Sequence, residues 1–334
     1  MHRLKPVINS IFNIKNETAF QEQALHVFRY QATQSPVYQQ YLKTLGTVVE
    51  SIHSVDQIPF LPIELFKSHQ LITGTDPIQE TFTSSGTTGT QQSRHFVTDL
   101  SLYEESYRQA FQLFYGNISD YCILALLPSY LEREGSSLIY MTEDLIKRSK
   151  NPDSGFYLHN HEELLHTLEQ LEQKKQKTIL LGVTYSLLDL AELYTAQNRK
   201  PLQHTLIMET GGMKGKRKEM IREELHQVLC NAFGVSSIHS EYGMTELLSQ
   251  AYSKGEGKFA CPPWMRMLIR DTNDPFTFLP NNKTGGINVI DLANINSCSF
   301  IATQDLGKNF NDGTFEVLGR FDASDVRGCN LLVV

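Results

Sequence analysis

Apolar and polar residues recur along the chain at two spacings, and the pattern changes character twice. Between residues 17 and 33, Phe20, Ala24, Val27, Phe28 and Gln31 fall at helical intervals, which predicts an amphipathic helix near the start. A proline-punctuated stretch follows, Ile58-Pro-Phe-Leu-Pro-Ile-Glu-Leu-Phe-Lys67, whose prolines favour extended backbone. From residue 95 onward, short apolar runs alternate with longer amphipathic ones. Residues 121–127 (YCILALL), 178–181 and 204–208 read as buried strands, and residues 235–239 as a further strand-like run. Residues 136–146, 162–171, 186–194 and 216–233 read as helices, the second with Leu164, Leu165, Leu168 and Leu171 on one face. Strand–helix alternation of this kind predicts an α/β fold with a mainly parallel sheet covered by helices. After Tyr252 the pattern turns to short strands at 265–269, 286–291, 297–302 and 315–319, a β-rich, antiparallel end. The organisation expected is a helical segment over 1–75 packed on a core of 76–318, followed by a tail over 319–334.

Composition narrows the class. The 334 residues are 40% hydrophobic and carry 37 acidic against 30 basic side chains, a net charge of −7. That balance argues against a basic nucleic-acid surface, and the aliphatic and aromatic content argues against disorder. No apolar run approaches the ~20 residues of a membrane span. Asn9, Ser10 and Asn13 interrupt the stretch behind the basic N-terminus, so no signal peptide is expected and the compartment expected is the cytoplasm. Five cysteines lie far apart without a Cys-x-x-Cys pair, which suggests neither a disulfide framework nor a zinc knuckle. Cys122 and Cys230 read as small core residues, whereas Cys329 lies close to the last residue of the sequence. No transition-metal site is expected.

Four segments carry candidate chemistry. Thr81-Phe-Thr-Ser-Ser-Gly-Thr-Thr-Gly-Thr90 is all hydroxyl or glycine except for Phe82. Thr83, Ser84, Ser85, Thr87 and Thr88 offer hydroxyls, and Gly86 and Gly89 let backbone amides come close to a ligand, a combination suited to phosphate oxygens. A polar loop is the plain alternative. The run matches neither Gly-x-x-x-x-Gly-Lys-Ser/Thr nor Gly-x-Gly-x-x-Gly. Ser240-Glu-Tyr-Gly-Met-Thr-Glu246 follows the strand-like run, with a helix expected to start behind it. Glu241, Tyr242, Gly243, Met244, Thr245 and Glu246 thus stand at a strand C-terminus, where open α/β sheets bind ligands. There Tyr242 is suited to stack on a base, Thr245 to bond a phosphate and Glu246 to hold magnesium. A capped helix start is the plain alternative. Thr303-Gln-Asp-Leu-Gly307 contributes Asp305, and Gly319-Arg-Phe-Asp322 contributes Arg320 just ahead of Cys329. Each of the last two alone reads as a turn.

In this order the four segments resemble the motifs of the adenylate-forming superfamily, which includes acyl-CoA synthetases, luciferases and peptide-synthetase adenylation domains. Residues 81–90 are similar to its phosphate loop, Tyr242-Gly-Met-Thr-Glu246 to its Tyr-Gly-x-Thr-Glu motif, Asp305 to its ribose aspartate, and Gly319-Arg-x-Asp322 to its hinge. Glu209-Thr-Gly-Gly-Met-Lys214 takes the place of its adenine-lining loop, with Gly211 and Gly212, and matches less closely. Within the superfamily the chain resembles the acyl-protein synthetases of the bioluminescence fatty-acid reductase complex (the LuxE family). The Ile58–Lys67 stretch ahead of the hydroxyl run, Gly211-Gly-Met-Lys214 and Cys329 carry that likeness.

The resemblance implies ATP and Mg2+, a long-chain fatty or other carboxylic acid, and an acyl-AMP from which Cys329 takes the acyl group as a thioester. An acyl-accepting partner protein, reductase-like or a carrier, would receive it. Arg327 would favour the Cys329 thiolate and Asp325 would oppose it. The superfamily's small second domain, with its late lysine, is expected to be mostly lacking, since Val334 lies twelve residues past Asp322. Lys214, Arg320 and Arg327 are the candidates to replace that lysine, with Lys214 preferred. Two other readings stand beside this one: a ligase acylating coenzyme A or a carrier protein, with Cys329 structural, and a non-catalytic scaffold.

Overall fold

The computed structural model describes residues 8–84, 91–128, 134–211, 217 and 220–321. Its helices are α1 (Ile8–Ile11), α2 (Glu17–Gln34), α3 (Pro36–Thr44), α4 (Leu65–Ser68), α5 (Leu100–Tyr115), α6 (Ser137–Ser149), α7 (His161–Gln173), α8 (Thr184–Ala196) and α9 (Arg222–Phe233). The first eight strands are β1 (Leu61–Pro62), β2 (Glu80–Thr83), β3 (Arg94–Val97), β4 (Cys122–Leu126), β5 (Gly155–Tyr157), β6 (Thr178–Val183), β7 (Thr205–Thr210) and β8 (His239–Tyr242). The remaining strands are β9 (Ala251–Ser253), β10 (Phe259–Ala260), β11 (Met265–Arg270), β12 (Gly285–Asp291), β13 (Phe300–Asn309) and β14 (Phe315–Arg320).

One sheet runs through the molecule in the order β11-β12-β13-β14-β10-β9-β8-β7-β6-β4-β5, and β1 joins β13. Strands β5, β4, β6, β7 and β8 are parallel, and from β8 to β11 every pairing along that order is antiparallel. The expected parallel body and antiparallel end are therefore halves of a single sheet. β4 and β6 are buried at every position, as continuous apolar runs covered on both faces should be. Cys122 packs in β4 without exposure, and Cys230 is half-buried on α9.

Most expected elements appear within a few residues of their predicted limits. The largest shifts are at β13, which runs to Asn309 and not to residue 302, and at the start of α9; β8 begins at His239 and not at residue 235. α9 starts only at Arg222, because Ile221 before it is extended. The stretch at 58–67 is extended only through β1 and then turns into α4. Three elements had no clear pattern behind them: α3, α5 and the two-stranded β2–β3 hairpin, whose strands pair from Glu80↔Val97 to Thr83↔Arg94.

Gln31 sits among the apolar positions of α2 for a polar reason. It is fully buried, and its Nε2 donates to the carbonyls of Asn294 and Ile295 at 3.0 Å and to Ser299 Oγ at 3.2 Å. Its Oε1 accepts from the Ser299 amide at 3.0 Å. Replacing it with a shape-filling apolar residue strands those groups away from water, at a cost of 1–3 kcal/mol for each buried group left unpaired. Gln31→Leu is expected to lower unfolding free energy by about 3 kcal/mol. Urea titration checks this; an unchanged midpoint would show that the contacts carry no net stability.

Candidate active site

The motif residues gather where β7 and β8 end and the antiparallel half of the sheet begins. Asp305 on β13 and Arg320 on β14 are register partners. The Tyr242 hydroxyl donates to Asp305 Oδ2 at 2.8 Å, and Arg320 Nε lies 3.3 Å from Oδ1. Burial pushes the Asp305 carboxyl above its ordinary value, while the Tyr242 hydrogen bond and the Arg320 charge pull it back. The Tyr242 ring packs edge-on against Phe259 and Phe315 at 6.1 and 5.7 Å between centroids. With the ring only 8% exposed, Tyr242 meets the site through its hydroxyl. Arg320 is 73% exposed, so its pair with Asp305 adds little stability and its guanidinium faces solvent.

The helix expected after Tyr242 does not form. Residues 243–250 make turns that lead into β9. Asp291 explains the difference: it accepts the amide hydrogens of Leu248 and Ser249 at 2.7 and 3.0 Å, and the Ser249 hydroxyl at 2.5 Å. A helix capped at Thr245 would have needed the Ser249 amide for the Thr245 carbonyl, which His95 instead takes. Burial raises the Asp291 carboxyl to about 6 even so. Within this loop Gly243 is exposed, Met244 and Thr245 are half-buried, and Glu246 is buried.

Thr245 is tied to the hydroxyl-rich hairpin through His95 on β3. The His95 Nδ1–H donates to the Thr245 carbonyl at 2.8 Å, while Phe66 packs edge-on against the imidazole at 5.6 Å. Burial lowers the His95 pKa to about 4, so the ring is neutral at physiological pH. Asn294 Nδ2 donates to the Glu246 carbonyl at 2.7 Å. Burial raises the Glu246 carboxyl, opposed by a hydrogen bond from Ser93 and by the Arg320 charge.

Thr83 and Ser84 close the stem of that hairpin. The Ser84 amide donates to the Ser93 carbonyl at 3.0 Å, and Ser84 Oγ accepts the Ser93 amide at 2.9 Å. The Thr83 amide donates to the Gly135 carbonyl at 2.8 Å, and its hydroxyl to the Glu134 carbonyl at 3.3 Å. The Ser84 hydroxyl thus serves the stem, and the Thr83 hydroxyl meets the segment before α6. Ser85, Gly86, Thr87, Thr88 and Gly89 lie outside the described residues, as do Gly212, Lys214 and Cys329.

Two buried carboxyls complete the strand ends. Glu209 and Thr210 are consecutive on β7 and point to opposite faces; Thr210 is the register partner of Glu241. Burial alone would raise Glu209, but His226 at 3.6 Å, Arg222 at 3.5 Å and Ser240 hold it below the usual value. Glu241 has no cation beside it among the described residues. Burial and the neighbouring Glu209 raise it to about 7, opposed by the hydroxyl of Thr210, which donates to Oε2. Gly211 follows with φ +68, and its carbonyl accepts from the Thr184 hydroxyl.

His95, Asp291 and Asn294 are the site-shaping residues that motif reading passed over. His95 is an inward position of β3, a strand whose sequence, Arg94-His-Phe-Val97, does not alternate. Asp291 and Asn294 stand in the apolar run Ile290-Asp-Leu-Ala-Asn-Ile295 with no pattern to mark them. Among the described residues, no group of three or more His, Cys, Asp or Glu gathers as a metal cage, and no helix is long and apolar enough to cross a membrane.

No family model matches the chain. A curated relative, the long-chain-fatty-acid–luciferin-component ligase of Aliivibrio fischeri, is 23% identical over 317 residues, covering 85% of this chain and 80% of that protein. Among solved structures, ATP-bound MatB from Rhodopseudomonas palustris superposes with a TM-score of 0.54 at 18% identity, over 74% of this chain and 49% of that one. The chain therefore spans about half the length of that structure. An open conformation of 2-hydroxyisobutyryl-CoA ligase with 2-HIB-AMP and CoA gives 0.64 at 13% identity, over 92% and 70%. The fold is that of the adenylate-forming enzymes, as the motif order led us to expect.

The raised Glu241 carboxyl gives a pH signature. The folded chain keeps a proton that the unfolded chain releases above about 4.5, so wild-type stability falls as pH rises from there to about 7. Glu241→Gln removes that titration. Thermal melts across pH 5–8 are expected to show the variant gaining on wild type up to pH 7 and levelling beyond; a constant gap would mean that Glu241 ionises normally.

Proposed function

We propose that this chain is an ATP-dependent ligase that activates a carboxylic acid as its acyl-adenylate, then carries the acyl group as a thioester on Cys329 to an acyl-accepting partner protein. One observation carries the reading. The Tyr242–Asp305–Arg320 cluster is joined, through Thr245 and His95, to the hairpin bearing the hydroxyl-rich run. Groups suited to a nucleoside are thus tied to the hairpin whose connecting run is suited to its phosphates. The luciferin-component ligase's name adds the acid class: a long-chain fatty acid is the first candidate. A reductase-like or carrier protein is the partner expected, and a working thiol suits a reducing, cytoplasmic setting.

In the first step a carboxylate oxygen of the acid bonds to the α-phosphorus of ATP, and the bond to pyrophosphate breaks with its electrons leaving on pyrophosphate. Asp305, an acceptor already aligned by Tyr242, is placed to receive ribose hydroxyls. The Thr245 hydroxyl and the hydroxyl-rich run would bond phosphate oxygens, and Lys214 and Arg320 would offer positive charge to the two anions that must meet. Glu246 fits a magnesium ion, because a buried carboxyl whose ionised form burial disfavours gains most from a cation. Magnesium there supplies charge neutralisation on the departing pyrophosphate.

In the second step the Cys329 thiolate attacks the acyl carbon, and the bond to AMP breaks with its electrons leaving on AMP. Arg327 favours the thiolate and Asp325 opposes it.

ATP–pyrophosphate exchange dependent on added acid tests the first step, and acyl labelling the second. Asp305→Ala is expected to cut exchange by roughly 100-fold. Cys329→Ser is expected to keep exchange and lose hydroxylamine-labile acyl-protein. No exchange with any acid would overturn the ligase reading. Acyl-CoA formation without self-labelling would replace Cys329 by coenzyme A as the acceptor.

A further inference from the structure

The β2–β3 hairpin forms a two-stranded sheet of its own, so no strand ladder sets its distance from the loop after β8. Among the described residues, side chains of the β3 segment do so. Ser93 just ahead of β3, His95 and Val97 alternate onto one inward face, and all three are buried. Val97 joins the apolar core there. The two polar members reach the loop: the Ser93 hydroxyl bonds the Glu246 carboxyl, and the His95 Nδ1–H donates to the Thr245 carbonyl at 2.8 Å.

His95 differs from a histidine that merely fills a core. To donate to a carbonyl, Nδ1 must carry the single proton of the neutral ring, which leaves Nε2 with a lone pair only. That nitrogen is buried without a hydrogen-bond partner, and so is Oδ1 of Asn294, whose side chain lies against the ring. Asn294 gives its amide nitrogen to the Glu246 carbonyl at 2.7 Å. Buried polar atoms are nearly always paired, so two unpaired acceptors side by side need a reason. Here the carbonyls of Thr245 and Glu246 are both satisfied, and the imidazole and the Asn294 amide each forgo a bond to do it. His95 bonds the carbonyl of Thr245 and not its hydroxyl, so the restraint falls on the backbone.

We propose that His95 is a positioning residue for the adenylation step, whose Nδ1–H fixes the Thr245 backbone against β3 and thereby places the Thr245 hydroxyl. The inference rests on the acid-activating reading and deepens it. His95 touches no reacting group and acts through Thr245. A misplacement of about 1 Å in such a group costs on the order of 100-fold in rate.

Three replacements of His95, compared by acid-dependent pyrophosphate exchange, separate positioning from packing. His95→Leu is expected to lower kcat by roughly 10- to 100-fold and to leave KM for ATP within about threefold, since Tyr242 and Asp305 still stand in place. His95→Asn carries a donor nitrogen on the same γ carbon and is expected to recover most of the loss. His95→Gln keeps polarity and bulk but presents its donor farther out, toward Asn294 Oδ1; it is expected to melt like wild type and still lose kcat. Gln restoring kcat as fully as Asn would overturn the proposal. In the Thr245→Ala background, His95→Leu is expected to cost nothing further in kcat; losses that multiply would also overturn it. Amide hydrogen exchange of the free protein gives a readout independent of catalysis. Exchange at residues 246–250 is expected to quicken by about tenfold in His95→Leu and His95→Gln but not in His95→Asn, with β4 and β6 unchanged. Equal protection in all three would overturn the proposal whether or not any acid is activated. Absence of pyrophosphate exchange with every acid, beside the expected protection pattern, would overturn the ligase reading and with it the adenylation role, leaving His95 as the anchor of the loop.

Discussion

Asp291 has no exposure to solvent, and a carboxyl so placed must find its hydrogen bonds within the chain. It finds them in the Leu248 and Ser249 amides, the Ser249 hydroxyl and the Ala293 amide. The path of residues 243–250 follows from that requirement, and with it the placement of Thr245 and Glu246. The same segment is held from its other side by Gln31 of α2, which pairs with Asn294, Ile295 and Ser299. Asn294 in turn holds the Glu246 carbonyl, and His95 holds that of Thr245. A continuous series of buried polar contacts therefore runs from the first long helix, through the end of β12, to the loop and the hairpin. Helix α2 is distant in sequence from the site, yet its single buried amide supports the site's backbone.

The carboxyls at the strand ends divide their work by what surrounds them. Glu209 has His226 and Arg222 and stays ionised despite burial; Glu241, one strand over and facing the opposite side, has only the Thr210 hydroxyl and titrates near neutrality. Asp305 lies between these cases, with Arg320, largely in water, paired to it and the Arg270 charge acting from farther off. Three acids within two adjoining halves of one sheet thus differ in charge for local reasons. A site that must bring an anionic acid to a polyanionic nucleotide benefits from keeping some of its own carboxyls neutral.

Much of this was legible in the sequence because the parallel strands are buried on both faces. Residues 121–127 and 178–181 announce themselves as uninterrupted apolar runs, and Leu164, Leu165, Leu168 and Leu171 mark α7 by spacing alone. The motif residues Tyr242, Asp305 and Arg320 were also legible, and the fold brings them together from three strands. What escaped was set by contacts distant in the chain. The segment after Tyr242 has the composition of a helix start, but Asp291, more than forty residues later, takes the Ser249 amide a helix would use. The hydroxyls of Thr83 and Ser84 find partners that the sequence does not mark, the Glu134 carbonyl for the first and the Ser93 amide for the second. Neither outcome has a local signature, because each depends on a partner that periodicity cannot see.

On the proposed function, a carboxylate oxygen of the acid attacks the α-phosphorus of ATP. Supplying the acid labelled with 18O in both carboxyl oxygens, and analysing the nucleotide released on acyl transfer by mass spectrometry, follows that oxygen directly. The account predicts AMP carrying one 18O atom. Unlabelled AMP, or ADP as the nucleotide product, would contradict it.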